Sequence, residues 1–299
     1  MKRSDKFFGL EYLKFKSRNK QADVDKDRDL NAALDELDDL VGLKDIKDLI
    51  KQLEAYIRLE QMRKEKGLKY EPLTLHMIFK GNPGTGKTTV ARLLGKILKG
   101  VGILSKGHVV EVERADLVGE YIGHTAQKVR ENVKKAMGGI LFIDEAYSLA
   151  RGGEKDFGKE AIDTLVKAME DHKSEFILIL AGYRDEMEYF LNANPGLKSR
   201  FSLQFDFPDY TMDELMLISD KMTAARDYKL TPKAKRKIYK LLIRCLNDNR
   251  IKEGNARLIR NIIEKSIMNQ AWRIYKKSPI MKNDLIFIEE EDIPDNIYY

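Results

Sequence analysis

The sequence predicts an α/β fold: a parallel sheet covered by helices on both faces, followed by a small all-helical domain. Three observations carry this. Five short apolar or β-branched runs alternate with amphipathic helical stretches, two of the runs (ILFI and FILILA) are almost wholly apolar, and after Pro208 only helical periodicity remains. Strands buried on both faces read as continuous apolar runs, and strand–helix alternation builds parallel sheets through helical crossovers.

The runs lie at Leu73–Phe79, His108–Glu113, Gly139–Ile143, Phe176–Ala181 and Ser202–Phe207. Helical patterns fall between them at about 87–99, 125–137, 158–172 and 185–192. An earlier helical pattern runs from Leu34 to about Lys66 and breaks near Val41 and Gly42. In the second domain, Thr211 and Glu214 have the spacing of a capping box, and Thr231 precedes Pro232 as a cap precedes a first-turn proline. A third helix is expected from Asn255 to about Tyr275. The resulting division is a charged leader (1–35), the α/β domain (36–210), the helical domain (211–276) and a C-terminal tail (277–299).

Composition narrows the function. The 299 residues are 43% hydrophobic and 34% charged, with 54 basic residues against 48 acidic, a net charge of +6. That mild excess on a mixed surface argues against a dedicated nucleic-acid binder. Cys245 is the single cysteine. It rules out an intramolecular disulfide and a thiolate metal cluster, and it reads as a small core hydrophobe among Leu241, Leu242 and Leu246. The four histidines are scattered without metal-ligand spacing. No apolar run reaches membrane-spanning length, and charges interrupt the apolar residues of the N-terminus, so the expected location is the cytoplasm. Phe7, Phe8, Tyr12, Leu13 and Phe15, alternating with lysines, read as a solvated leader or as a docking arm.

The chemistry is concentrated in two segments. Gly81, Asn82, Pro83, Gly84, Thr85, Gly86, Lys87 and Thr88 have the spacing of a phosphate-binding loop between a strand and a helix, with Thr89 following. Glycines let backbone amides wrap phosphate oxygens, the helix N-terminus adds partial positive charge, Lys87 reaches the outer phosphates and Thr88 offers a hydroxyl to Mg²⁺. The second segment ends a buried strand in Asp144 and Glu145. Asp144 is suited to holding Mg²⁺ through water, and Glu145 to orienting and deprotonating an attacking water. A second carboxylate after the magnesium aspartate favours hydrolysis over transfer to a small acceptor. The expected cofactors are therefore ATP and Mg²⁺.

Together with Leu40–Leu43 and the helical domain, these segments resemble AAA+ ATPases. The similarity is closer to their CbxX/CfxQ group, which includes red-type Rubisco activases and sporulation proteins. It rests on Glu120–Thr125, Asp144–Tyr147, Ala181–Tyr183, Asn194–Gly196, Ser199–Arg200 and Gly254–Arg257, and it covers roughly residues 36–276.

The resemblance implies a homo-hexameric ring with ATP sites at subunit boundaries. Arg200 matches an arginine finger reaching a neighbour's phosphate, against the plainer reading of a surface arginine. Arg257 matches a sensor arginine contacting phosphate within its own subunit, against a surface arginine paired with Glu253. Val41 and Gly42 match the segment lining the adenine pocket. Tyr183 stands near the position where most AAA+ proteins carry a polar sensor residue, a departure that leaves the water-orienting side chain there open. Tyr121, Ile122 and Gly123 match the aromatic–hydrophobic–glycine loop with which remodelling members grip an extended polypeptide, against a tyrosine anchoring its own loop. The implied activity is ATP-driven remodelling of a client protein that the sequence does not name. A nucleotide-gated assembly scaffold and a nucleic-acid-associated AAA+ ATPase are the alternatives.

Overall fold

The computed structural model describes residues 27–69, 74–121, 123–151, 156–173, 175–247 and 250–296, with the side chains of 247–253 set aside. The aromatic leader, Leu73, Ile122 and the side chain of Glu253 lie outside the described residues.

Five parallel strands form the sheet: β1 (Met77–Gly81), β2 (Val109–Val112), β3 (Ile140–Ile143), β4 (Ile177–Gly182) and β5 (Leu203–Phe207). Their spatial order is β2-β3-β4-β1-β5. In register, Met77 lies opposite Ile179 and Leu203, while Ile140 lies opposite Val109 and Ile177. Side chains alternate across a strand, and here the alternation feeds two cores. Met77, Phe79, Phe142, Ile179 and Phe205 face one layer; Ile78, Leu141, Ile143, Leu178 and Leu180 face the other. Phe79 is the centre of the first, with ring centroids 5.2 Å from Phe205, 5.0 Å from Phe207 and 6.4 Å from Phe142.

The first layer is closed by α1 (27–38), α2 (Lys44–Glu65) and α3 (Lys87–Gly100). The second is closed by α5 (His124–Ala136), α6 (Gly158–Asp171) and α7 (Arg184–Ala193), with a short α4 (Arg114–Leu117) after β2 and α8 (Pro195–Lys198) before β5. Helix α1 begins ahead of the expected domain edge at residue 36. Its Leu30, Ala33 and Leu37 bury in the core while its charged residues face solvent. A Cβ on Gly100 would stand 2.7 Å from the Leu30 Cβ, so that glycine lets α1 lie against the end of α3.

The lid comprises α9 (Met212–Ala224), β6 (Lys229–Leu230), α10 (Pro232–Asn247), α11 (Arg250–Tyr275), α12 (Lys282–Ile286) and β7 (Phe287–Ile288). Thr211 and Glu214 form the expected reciprocal cap. Asn255 (φ 43°, ψ −125°) breaks α11 where the third helix was expected to start. The segment expected to be a tail is built into the lid: β7 pairs in parallel with β6, and Ile288 and Ile293 join its core. Arg273 grips buried Asp292 through two 2.8 Å hydrogen bonds. Among the described residues, no helix is long and apolar enough to cross a membrane.

His76, ahead of β1, is 2% exposed and sits between Phe176 and Phe201. Its Nδ1 accepts from the Leu178 amide at 3.0 Å, while Nε2 has no partner among the described residues. Burial lowers its pKa to about 4. The folded state therefore refuses a proton that the unfolded chain takes up near pH 6.5, so stability falls as pH drops from 6.5 towards 4. Between pH 7 and pH 5, denaturant melts should show a stability loss that shrinks by about 2 kcal/mol in His76→Asn, which keeps an acceptor but does not titrate. An equal loss in both proteins would exclude His76 as the cause.

Candidate active site

Ligands of open α/β sheets bind at the carboxyl ends of the strands, and a convergence of functional groups lies there. A cavity of about 560 Å³ is lined by the loop after β1, by the ends of β3 and β4, by the turn between α1 and α2, and by the lid. Gly81, Pro83, Gly84, Gly86, Lys87, Thr88, Thr89, Asp144, Glu145, Tyr183 and Arg257 all line it.

The phosphate loop takes its shape from two glycines with left-handed backbone, Gly84 (φ 72°) and Gly86 (φ 99°), which lead into the first turn of α3. Such φ values disfavour side chains. Asn82 and Thr85 support the loop from behind and do not line the cavity. The Asn82 amide donates to both carboxylate oxygens of Asp209 (2.9 and 3.0 Å), and buried Thr85 donates to the Asn82 carbonyl (2.8 Å). Lys87 Nζ donates to the carbonyls of Gly81 (2.8 Å) and Asn82 (2.9 Å). Burial pulls the Lys87 pKa below its ordinary value, and Arg257 adds to this, while Asp144, Glu145 and Asp209 oppose it. That pattern places both cations and three carboxylates within electrostatic reach of one another.

Asp144 ends β3, its amide continuing the sheet to the Val112 carbonyl at 3.1 Å. Its carboxylate accepts from the Glu145 amide at 3.0 Å. Glu145 has φ 47°, a left-handed conformation that turns the chain into the next helical turn and leaves the side chain exposed at the cavity. A non-glycine residue there carries strain of order 1–3 kcal/mol. Tyr183 follows β4 and lines the same cavity; burial, then Glu145 and Glu186, push its phenol pKa up. Its ring is 5.9 Å from that of Tyr147. Both therefore remain neutral phenols beside the carboxylate. Thr88 and Asp144, a hydroxyl and a carboxylate that both line the cavity, are the oxygen donors that suit Mg²⁺.

The adenine-side residues divide. Val41 lines the cavity together with Leu40 and Leu43, whereas Gly42 does not. Gly42 (φ 64°) instead makes the turn, and a Cβ there would lie 2.4 Å from a Glu214 carboxylate oxygen. Sequence reasoning missed Leu43, Tyr210, Met222 and Arg260, which also line the cavity. Their only local signal is position: Tyr210 in the β5–α9 passage, Arg260 one helical turn after Arg257.

Two expected residues stand apart. Arg200 does not line the cavity; its guanidinium donates to the Gly196 carbonyl and pairs with Glu170 of α6, holding that carboxyl below its ordinary pKa. Tyr121 is 66% exposed, its ring edge-on to His124 at 5.4 Å, and it precedes Gly123 (φ 83°), which has open space around it.

Comparison with known proteins adds to this geometry. The profile of the ATPase family associated with various cellular activities (AAA) matches residues 77–209, and the AAA lid domain matches 211–298. Stage V sporulation protein K of Bacillus subtilis (strain 168) is 57% identical over 86% of this chain and 80% of its own. Protein CbbX of Cereibacter sphaeroides is 46% identical over 87% and 85%. The chloroplastic ribulose bisphosphate carboxylase/oxygenase activase of Cyanidioschyzon merolae (strain NIES-3377 / 10D) is 42% identical over 90% and 92%. The fold also aligns with the FIGL-1 AAA domain solved with ADP, at TM-score 0.58 and 17% identity over 85% of this chain and 80% of that one. With its sheet domain, lid and close relatives all in agreement, the chain belongs to the AAA ATPases, in the group that holds CbbX, the CfxQ homologues and stage V sporulation protein K, and it is an ATPase.

Proposed function

We propose that this ATPase works as a homo-hexameric ring that hydrolyses ATP at its subunit boundaries and moves Tyr121 against a client protein. The observation that carries the proposal is a division of labour among the named side chains. Lys87, Thr88, Asp144, Glu145, Tyr183 and Arg257 share one cavity, whereas Arg200 and Tyr121 lie outside it. An arginine outside its own cavity, paired at the surface with Glu170, can complete a neighbour's site by exchanging that carboxylate for a phosphate, and an exposed aromatic ring on a glycine-hinged loop is suited to gripping a polypeptide.

In this reading Lys87 and the loop amides hold the phosphates, Glu145 deprotonates the attacking water, and Arg257 senses the outer phosphate. Thr88 and Asp144 would hold Mg²⁺, which when bound offsets charge on the phosphate oxygens. Val41 and Leu43 contact the base. The activase relative, by its name, acts on another enzyme, and the sporulation relative supports a sporulation-linked client in the cytoplasm. The modest charge excess argues against nucleic acid as the partner.

Glu145→Gln should bind ATP normally yet hydrolyse it about 10²–10⁴-fold more slowly, the usual contribution of a general base; normal turnover would remove Glu145 from the mechanism. Arg200→Ala should lose about 10³-fold or more in turnover. Mixing Arg200→Ala with Glu145→Gln subunits should then restore activity, because an intact Glu145 meets a neighbour's intact Arg200. No recovery in mixed rings would mean that the site is not shared. Adding Tyr121→Ala to the Glu145→Gln trap should abolish ATP-dependent client capture, while Tyr121→Ala alone keeps ATP turnover within about 2-fold, as expected for a residue outside the chemistry. Capture that survives would favour a nucleotide-gated scaffold.

A further inference from the structure

The chain crosses from sheet to lid through Pro208, Asp209 and Tyr210, and both of the latter are stitched to the phosphate loop. Asp209 accepts from the Asn82 amide on the loop side and from the Asn255 amide at 2.8 Å on the lid side. Asn255 is fully buried and fully engaged: its oxygen accepts from the Tyr210 amide (3.0 Å), and its nitrogen also donates to the Pro83 carbonyl (3.3 Å). Around this bridge the Tyr210 hydroxyl donates to the Thr85 carbonyl (3.2 Å), and the Ala256 amide donates to the Gly84 carbonyl (3.2 Å).

A carboxylate only accepts and a side-chain amide supplies two donors, so Asp209 between Asn82 and Asn255 is a matched set. Charge-assisted hydrogen bonds of this kind are stronger than neutral ones. The match also accounts for Asn255 at φ 43°, ψ −125°, since a strained backbone persists where its surroundings over-determine it. Arg257 follows two residues later, at the cavity.

We propose that Asp209 is a positioning residue for ATP turnover: the Asn82–Asp209–Asn255 bridge couples the phosphate loop to the lid helix that carries Arg257, so that a shift of the loop by bound phosphates is passed to the lid. Asp209 does not touch the reacting atoms; it acts by fixing where the loop and Arg257 stand relative to each other. A simple structural staple would alter stability and affinity together, but it would not tie the lid's position to the identity of the nucleotide.

Trp272, the only tryptophan, is exposed on α11. It lies fifteen residues beyond Arg257, or roughly 22 Å along a helix rising 1.5 Å per residue. Energy transfer from Trp272 to a methylanthraniloyl nucleotide in the cavity therefore reports the angle of the lid. In the wild-type protein, transfer should differ between the labelled ADP and a labelled non-hydrolysable ATP analogue. In Asp209→Ala the two values should merge, kcat should fall about 10- to 100-fold, as small misplacements near a reaction do, and nucleotide Kd should stay within about 3-fold, because the Lys87 and Thr88 contacts remain. Asn82→Ala, which cuts the bridge from the loop side, should do the same, and it supplies the test if Asp209→Ala does not fold. The double variant should lose no more than either single one, since the two act as one unit. Asp209→Asn, which keeps an acceptor oxygen, should recover part of kcat. Additive losses, nucleotide-dependent transfer surviving in the variants, an unchanged kcat, or wild-type transfer that ignores the nucleotide would each overturn the proposal. None of these readouts needs a client or the remodelling activity.

Discussion

Gly84 has no side chain, and the space a Cβ would take is already filled: the Gly254 carbonyl oxygen would lie 2.2 Å away and the Arg257 amide nitrogen 2.9 Å away. Two backbones approach there more closely than any other residue would permit. Much of the nucleotide site follows from that contact. It sets the lid helix directly against the phosphate loop, so Arg257 enters the same cavity as Lys87 without a long side-chain reach. It also forces the strained turn at Asn255, since the chain must pass beside the loop before the helix can start. A side chain at Gly84 would push lid and loop apart and separate Arg257 from Lys87.

The cavity balances charge tightly. Lys87 and Arg257 disfavour each other, and burial disfavours Lys87 further, while Asp144, Glu145 and Asp209 restore the balance. An anionic ligand entering here meets Lys87, Arg257 and a helix N-terminus, the arrangement that favours phosphate. Glu145 stays exposed on a strained turn, beside two tyrosines whose phenols are harder to ionise for its presence. The environment thus keeps its two tyrosine neighbours neutral.

Local signals made the strands, the phosphate loop and the paired carboxylates legible. A continuous apolar run, a glycine spacing and an Asp-Glu pair at a strand end are each confined to fewer than about ten residues, a distance over which sequence and backbone geometry are directly linked. The rest depended on contacts across the chain. Asn82 and Asp209 are 127 residues apart, Tyr210 and Thr85 are 125, and nothing local in an asparagine or a Phe-Pro-Asp-Tyr turn reveals such a partner. The same holds for 282–293, which reads only as part of a tail until Arg273 claims Asp292 and two short strands pair. The start of helix α1, ahead of the pattern read from Leu34, escaped for a different reason: Leu30 and Ala33 are two buried apolar positions in a charge-dense stretch, a weak periodic signal, and Gly100 opposite Leu30 makes room for the packing.

The lid has its own core, separate from the two that flank the sheet, and only a few residues belong to more than one body. Tyr210 packs against both the first sheet core and the lid core; Val41 packs against the lid core, while its neighbours Leu40 and Leu43 pack against the sheet core. The lid, closed at its far end by β6, β7 and the Arg273–Asp292 pair, is therefore suited to moving as one body on a short seam made of residues 40–43, 209–210 and the contact of 254–257 with the phosphate loop. Leu40, Val41, Leu43, Tyr210 and Arg257 of that seam also line the nucleotide cavity. In the proposed reading, a base against Val41 and Leu43 touches both bodies at once, and phosphates on the loop are backed by Asp209 at the hinge itself. A change at either end of the nucleotide therefore acts where the lid has least leverage to resist it, which is how small shifts at a site become movements of a whole packed unit.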